Sequence, residues 1–91
     1  MLTIIVDAPV ETAPYSVKAF INPDKRIGIM VGPSTSMDGT WEYDPSNNAR
    51  ILFDAKGTSV AYQGFIELYN DHKATITISN WPLKVMGTWS Q

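Results

Sequence analysis

Two aspartates stand at matching places in the chain, Asp7 followed by Ala8 and Asp54 followed by Ala55. Two carboxylates brought together divide into a general acid and a general base, because proximity drives their pKa values apart. Each of these aspartates, however, ends an apolar run and precedes turn-forming residues, where an aspartate caps its own backbone; the structural role is the expected one. A second pair, Asp24 and Asp71, lies in equivalent turn segments, and Asn70 beside Asp71 adds an oxygen donor of the kind calcium takes. Yet His72-Lys73-Ala74 follows Asp71, and Lys25-Arg26 follows Asp24, so too few oxygen ligands assemble. Asp38-Gly39-Thr40 has the form of an acidic protease motif, but Met86 stands at the matching later position and excludes a paired site. His72 is the only histidine and cysteine is absent, which leaves no zinc cluster and no nucleophile–base pair. The six glycines fit no phosphate loop. We expect no catalytic residue, no metal, no cofactor and no enzymatic activity.

These pairings belong to a repeat. Setting each residue against the one 47 positions later matches Ile4 with Ile51, Asp7-Ala8 with Asp54-Ala55, Tyr15 with Tyr62, Asp24 with Asp71 and Ile29 with Ile76. One extra residue in the second copy then aligns Gly39-Thr40-Trp41 with Gly87-Thr88-Trp89. Similar residues such as Ile5/Leu52 and Arg26/Lys73 support the same register, and a repeat of this length indicates a duplicated supersecondary unit.

The unit is a set of strands. Tyr15, Val17, Ala19 and Ile21 alternate with Ser16, Lys18 and Phe20; Ile27, Ile29 and Val31 alternate with Arg26, Gly28 and Met30. The second copy replays this with Tyr62, Gly64, Ile66 and Leu68, then Ala74, Ile76 and Ile78. Asn22-Pro23-Asp24-Lys25 and Asn70-Asp71-His72-Lys73 read as hairpin turns, and Asp44 to Asn48 as the link between copies. The expectation is one all-β domain over 1–91, with repeat one at about 2–43 and repeat two at about 49–89. It forms a small sandwich or barrel of about eight short antiparallel strands, the two four-stranded units packed face to face about a pseudo-twofold axis. The expected core is Ile4, Val6, Tyr15, Val17, Ile21, Ile27, Ile29, Val31 and Trp41 with Ile51, Phe53, Tyr62, Ile66, Leu68, Ile76, Ile78 and Trp89. This plan of two four-stranded units resembles the duplicated Greek-key domains related to the βγ-crystallins, which implies calcium in the Asp24 and Asp71 turns. The Gly-x-Trp pattern resembles that of calycin barrels such as lipocalins and avidins, which implies an enclosed ligand, although the chain is brief for such a barrel.

At 91 residues the chain buries a smaller share of its surface than larger domains do, and without cysteine no disulfide reinforces it. A net charge of −2 and the absence of any lysine or arginine run argue against nucleic acid as a partner. No segment approaches the roughly 20 apolar residues of a membrane helix. Met1 to Val6 lacks the basic leader of a signal peptide. The expected setting is soluble, cytoplasmic or virion-associated.

Function is then expected on the surface. Ile5, Phe20, Met30, Leu52 and Phe65 fall on the parity opposite the core, and an apolar second face marks an interface. Pairing of open strand edges between subunits would serve the same end. We expect a non-enzymatic interaction or structural protein, of the type of a small viral accessory protein, inhibitor or shell component, that forms a homo-oligomer or holds a protein partner. Its binding residues are Trp81, Phe20, Phe65, Tyr43 and Tyr69. The alternative is a carbohydrate- or small-ligand-binding β module, in which Trp81, Tyr43 or Tyr69 stacks on the ligand.

Overall fold

The computed structural model describes residues 2–10, 15–33, 35–80 and 83–91. Eight strands follow in order: β1 (Ile4–Pro9), β2 (Ser16–Ile21), β3 (Arg26–Val31), β4 (Thr35–Asp44), β5 (Asn47–Lys56), β6 (Ala61–Leu68), β7 (Lys73–Ile78) and β8 (Leu83–Ser90). Each pairs antiparallel with the next, and β8 returns to β1, closing an up-and-down barrel. The all-β reading with eight strands is correct, and of sandwich and barrel the chain forms the barrel. Two details of the expectation change. The order is a meander, not a Greek key, and the two halves join edge to edge through β4–β5 and β8–β1 instead of stacking as two sheets. Among the described residues closure gives every strand a partner on both sides, the β1–β8 seam over three residue pairs, so no whole strand edge is left for another subunit to extend. Among the described residues no helix is long and apolar enough to cross a membrane.

Alternation decides what fills the barrel. Val6, Val17, Ile21, Ile27, Ile29, Met37, Ile51, Ile66, Ile76 and Ile78 are the large side chains fully enclosed, with Ala8, Ala19, Ala55 and Ala74 among them. This matches most of the expected core, adds Met37, Val85 and the alanines, and removes Tyr15, which is exposed. Tyr62, Leu68 and Trp89 pack against the core but are only partly buried. Tyr15 leaves because β1 and β2 pair two residues further along than the repeat implies.

The repeated residues meet one another in space. A Cβ on Gly39 would collide with the Asp54 carbonyl oxygen and lie 2.6 Å from the Ala55 Cα, while one on Gly87 would collide with the Asp7 carbonyl oxygen and lie 2.5 Å from the Ala8 Cα. Thus the Gly-Thr-Trp and Asp-Ala segments contact each other across β4–β5 and across β8–β1. Each tryptophan also ties down a hairpin: Trp41 Nε1 donates to the Asn22 carbonyl at 2.8 Å and Trp89 Nε1 to the Tyr69 carbonyl at 2.9 Å. In both hairpins the last loop residue is left-handed, Lys25 at φ 71° and His72 at φ 64°. These are three-residue loops with a type I turn, in which glycine is the usual occupant of that place. The strain is offset by stacking: Lys25 Nζ sits 4.2 Å from the Trp41 ring centroid, and the His72 ring lies 4.5 Å from that of Trp89.

One register breaks the correspondence. The pairs Ala19↔Ile29 and Ile66↔Ile76 are equivalent under the offset, as are Ile27↔Gly39 and Ala74↔Gly87. Ala8, however, pairs with Val17, whereas Ala55 pairs with Tyr62, the counterpart of Tyr15. A slip of two residues keeps every side chain on its own side of the sheet. It also changes outward neighbours: Ile5 faces Phe20 and Leu52 faces Phe65, although the sequence offset matches Phe20 with Glu67 and Phe65 with Lys18.

The β4–β5 connection is tighter than a linker. Only Pro45 and Ser46 separate ten-residue strands, and a bulge falls at Tyr43/Asp44. Asp44 Oδ1 accepts from Ser46 N at 2.9 Å and Ser46 Oγ at 2.7 Å, and Arg50 Nη1 lies 3.7 Å from its other oxygen. The Ser46 hydroxyl and amide, then the Arg50 charge, hold this carboxyl below its ordinary pKa. A carboxyl lowered in the folded state stabilises it above the unfolded carboxyl's pKa, and this contribution is lost as pH falls through the lowered value. In Ser46→Ala, which removes the hydroxyl and keeps the amide, the Asp44 titration followed by carboxyl NMR is expected to move upward; an unmoved midpoint would assign the lowering to the residue-46 amide and Arg50.

Candidate functional site

The barrel interior is occupied by its own branched side chains, as in small barrels generally, so binding is a matter for the outer wall and the two ends. Asp7 and Asp54 do not cap turns. They sit inside β1 and β5 with exposed outward side chains, because Val6/Ala8 and Phe53/Ala55 take the inward parity. Three strands lie between them on either side, half the circumference apart, so they form no carboxylate pair. Asp24 and Asp71 do act on their own turns: their Oδ1 atoms accept from Arg26 N at 3.1 Å and Lys73 N at 3.2 Å, and each carboxylate pairs with that residue's charge. Among the described residues no group of three or more acidic, histidine or cysteine side chains is placed to hold a metal ion. His72 is exposed yet engaged, with Nδ1 3.2 Å from the Trp89 carbonyl oxygen beside the ring contact.

The binding residues expected from sequence are dispersed. Trp81 lies outside the described residues. Tyr43 and Tyr69 are both exposed, at the barrel end where Trp41 and Trp89 sit. Tyr43 meets Trp41 edge to face at 5.1 Å and carries Lys25 Nζ 5.1 Å from its ring, so its stacking surface is already engaged. Phe20 and Phe65 point outward from β2 and β6, four strands apart, and are half-buried.

Each phenylalanine borders a shallow groove. The acidic one, about 550 Å³, runs over β4–β6 and is lined by Thr40, Glu42, Leu52, Asp54, Gln63 and Phe65. Glu42 faces Leu52, Leu52 faces Phe65, and Thr40, Asp54 and Gln63 form the adjoining row. Neither Glu42 nor Asp54 has an ion-pair partner within 4.0 Å among the described residues. Arg50 bounds the groove with its guanidinium 4.8 Å over the Phe65 ring and 3.4 Å from Glu67. The second groove, about 590 Å³, runs over β2–β4 beside Phe20, with Arg26, Gly28 and Asp38 in its lining. Gly28 faces outward, and a Cβ there would meet only Asp38 Oδ1 at 3.6 Å, which leaves a depression next to Phe20.

Glu42, Gln63 and Lys18 were absent from the sequence-derived site. The outward parity of Lys18 and Gln63 follows from the alternation of β2 and β6, and that of Glu42 once β4 is extended to ten residues, but their placement around the aromatic pairs depends on cross-strand register. Compared with protein-family models, curated proteins and solved structures, the chain matches none.

Proposed function

We propose that the protein is a non-enzymatic interaction module that works through the outer wall of a filled barrel and associates with copies of itself. The observation that carries this reading is the pair of outward apolar contacts, Ile5–Phe20 and Leu52–Phe65, on opposite walls of a closed ring, each beside a groove. Ile5 is 37 % and Met30 42 % exposed on the first wall, so apolar surface remains to be covered there. Edge-strand pairing is not the route, since the ring is closed; the contacts are side chain to side chain. Carbohydrate stacking is less well supported at Tyr43, whose ring Trp41 and Lys25 engage. Sedimentation velocity from micromolar to submillimolar protein is expected to give a weight-average coefficient that rises with concentration. Leu52→Ser combined with Phe65→Ser is expected to abolish that rise while leaving the β-sheet circular dichroism unchanged. A wild-type protein that stays monomeric throughout would overturn the reading.

A further inference from the structure

We propose that the depression at Gly28 is a binding site for a neutral sugar, a hexopyranose whose C–H face packs on the Phe20 ring while its hydroxyls bond to Asp38, Arg26 and Thr40. This goes beyond the self-association reading and does not rest on it. Outward positions run across the wall in the order Ile5, Phe20, Gly28, Asp38, Lys56, each the cross-strand neighbour of the next. Gly28 adds no side chain to that row, so its backbone is the floor of a slot with Phe20 on one side and Asp38 on the other. Asp38 Oδ1 lies 3.6 Å from where a Gly28 Cβ would stand, which sets the carboxylate over the slot. Asp38 is exposed and, among the described residues, has neither a hydrogen bond nor an ion pair. Arg26 and Thr40 complete the lining of the groove of about 590 Å³, a volume usual for small-ligand sites.

The opposite wall lacks such a slot. There Thr77 stands beside Phe65 where Gly28 stands beside Phe20, Lys84 takes the place of Asp38, and the Arg50 guanidinium lies 4.8 Å over the Phe65 ring. Among the described residues no cation or second ring stacks on Phe20. The charges around Phe20 select a neutral ligand. Asp7 faces Lys18, Asp24 contacts Arg26 at 4.0 Å and Asp38 faces Lys56, so the wall carries no net sign that would draw an ion. Arg26 remains able to donate to a ligand, because its pair with Asp24 is largely exposed and worth little. An aromatic ring, a carboxylate acceptor, a guanidinium donor and a hydroxyl around one bare floor match a ligand that is apolar on its face and hydroxylated at its rim.

The test is a proton–nitrogen NMR titration of the full chain with methyl β-glucoside, methyl β-galactoside and methyl α-mannoside, using wild type, Gly28→Val and Asp38→Ala. At least one glycoside is expected to give saturable shifts at Phe20, Gly28, Asp38 and Thr40 of the wild type. Valine suits a strand and its methyls fill the slot, so Gly28→Val is expected to keep the dispersed spectrum and abolish binding. Asp38→Ala removes the acceptor and is expected to weaken binding about tenfold or more, the loss of a hydrogen bond to a charged group. No saturable shift with any of the three glycosides overturns the site, as do shifts that persist in Gly28→Val or that glycerol reproduces. Slot resonances that move with protein concentration and not with glycoside assign the slot to a second copy and likewise overturn it. Self-association is read separately, from sedimentation of the Leu52→Ser, Phe65→Ser variant, and stands or falls without the sugar site.

Discussion

Replacement of Trp41 by alanine is expected to destabilise the barrel by about 3–5 kcal/mol, the range for deleting a buried large aromatic side chain. Trp41 is only 4 % exposed, fills the barrel end beside Tyr43, and holds the β2–β3 hairpin through its indole N–H. The substitution removes packing, hydrogen bond and the seat of Lys25 together. In a domain of this size each kcal/mol moves the melting temperature by roughly 4–8 °C, and total stability is only about 5–15 kcal/mol, so much of the fold's margin is at stake. Trp89→Ala is expected to cost distinctly less. Trp89 is half-buried, its ring packs against His72, and Gln91 occupies the place that corresponds to Tyr43. Denaturant unfolding of the two variants checks this; equal losses would show that partial exposure does not lessen the role of Trp89.

Gly39→Ala and Gly87→Ala are expected to be the next most damaging changes. Overpacking ordinarily costs about 1–3 kcal/mol. Here the added methyl meets backbone, the Asp54–Ala55 and Asp7–Ala8 segments, which cannot rotate aside as a side chain would, so the cost falls at or above the top of that range. Gly28→Ala supplies the contrast. Its methyl meets only Asp38 Oδ1, at an ordinary contact distance of 3.6 Å, and alanine lowers the entropy of the unfolded chain relative to glycine, so stability is expected to stay within about 1 kcal/mol of wild type or rise. Melting temperatures that fall alike in all three variants would contradict the assignment of Gly39 and Gly87 to close backbone contacts.

The contrast between these glycines marks where sequence reasoning stopped. Identity at both copies of Gly-Thr-Trp and Asp-Ala was plain from the chain, but the two motifs are about 15 residues apart between Gly39 and Asp54 and far more between Gly87 and Asp7. Their mutual contact needed β4–β5 pairing and ring closure. From sequence Asp7 and Asp54 each end an apolar run before turn formers; in the barrel the strands run on to Pro9 and Lys56, since pairing with β2 and β6 continues past the aspartates.

By itself the sequence determined the class: period-two alternation puts branched apolar residues on one side of eight strands, and proline, asparagine and aspartate end them, whatever the strands later pair with. The 47-residue offset set the expectation of a duplicated unit, and the β1–β2 register departs from it. Only the tertiary structure decided that the strands close into a ring, and that a two-residue register difference sets Phe20 against Ile5 and Phe65 against Leu52. The physical reason is that alternation is a local property with a period of two residues, which a slip of two leaves unchanged. Register and closure depend on hydrogen-bond partners distant in the chain, and so does the charge that surrounds each aromatic pair.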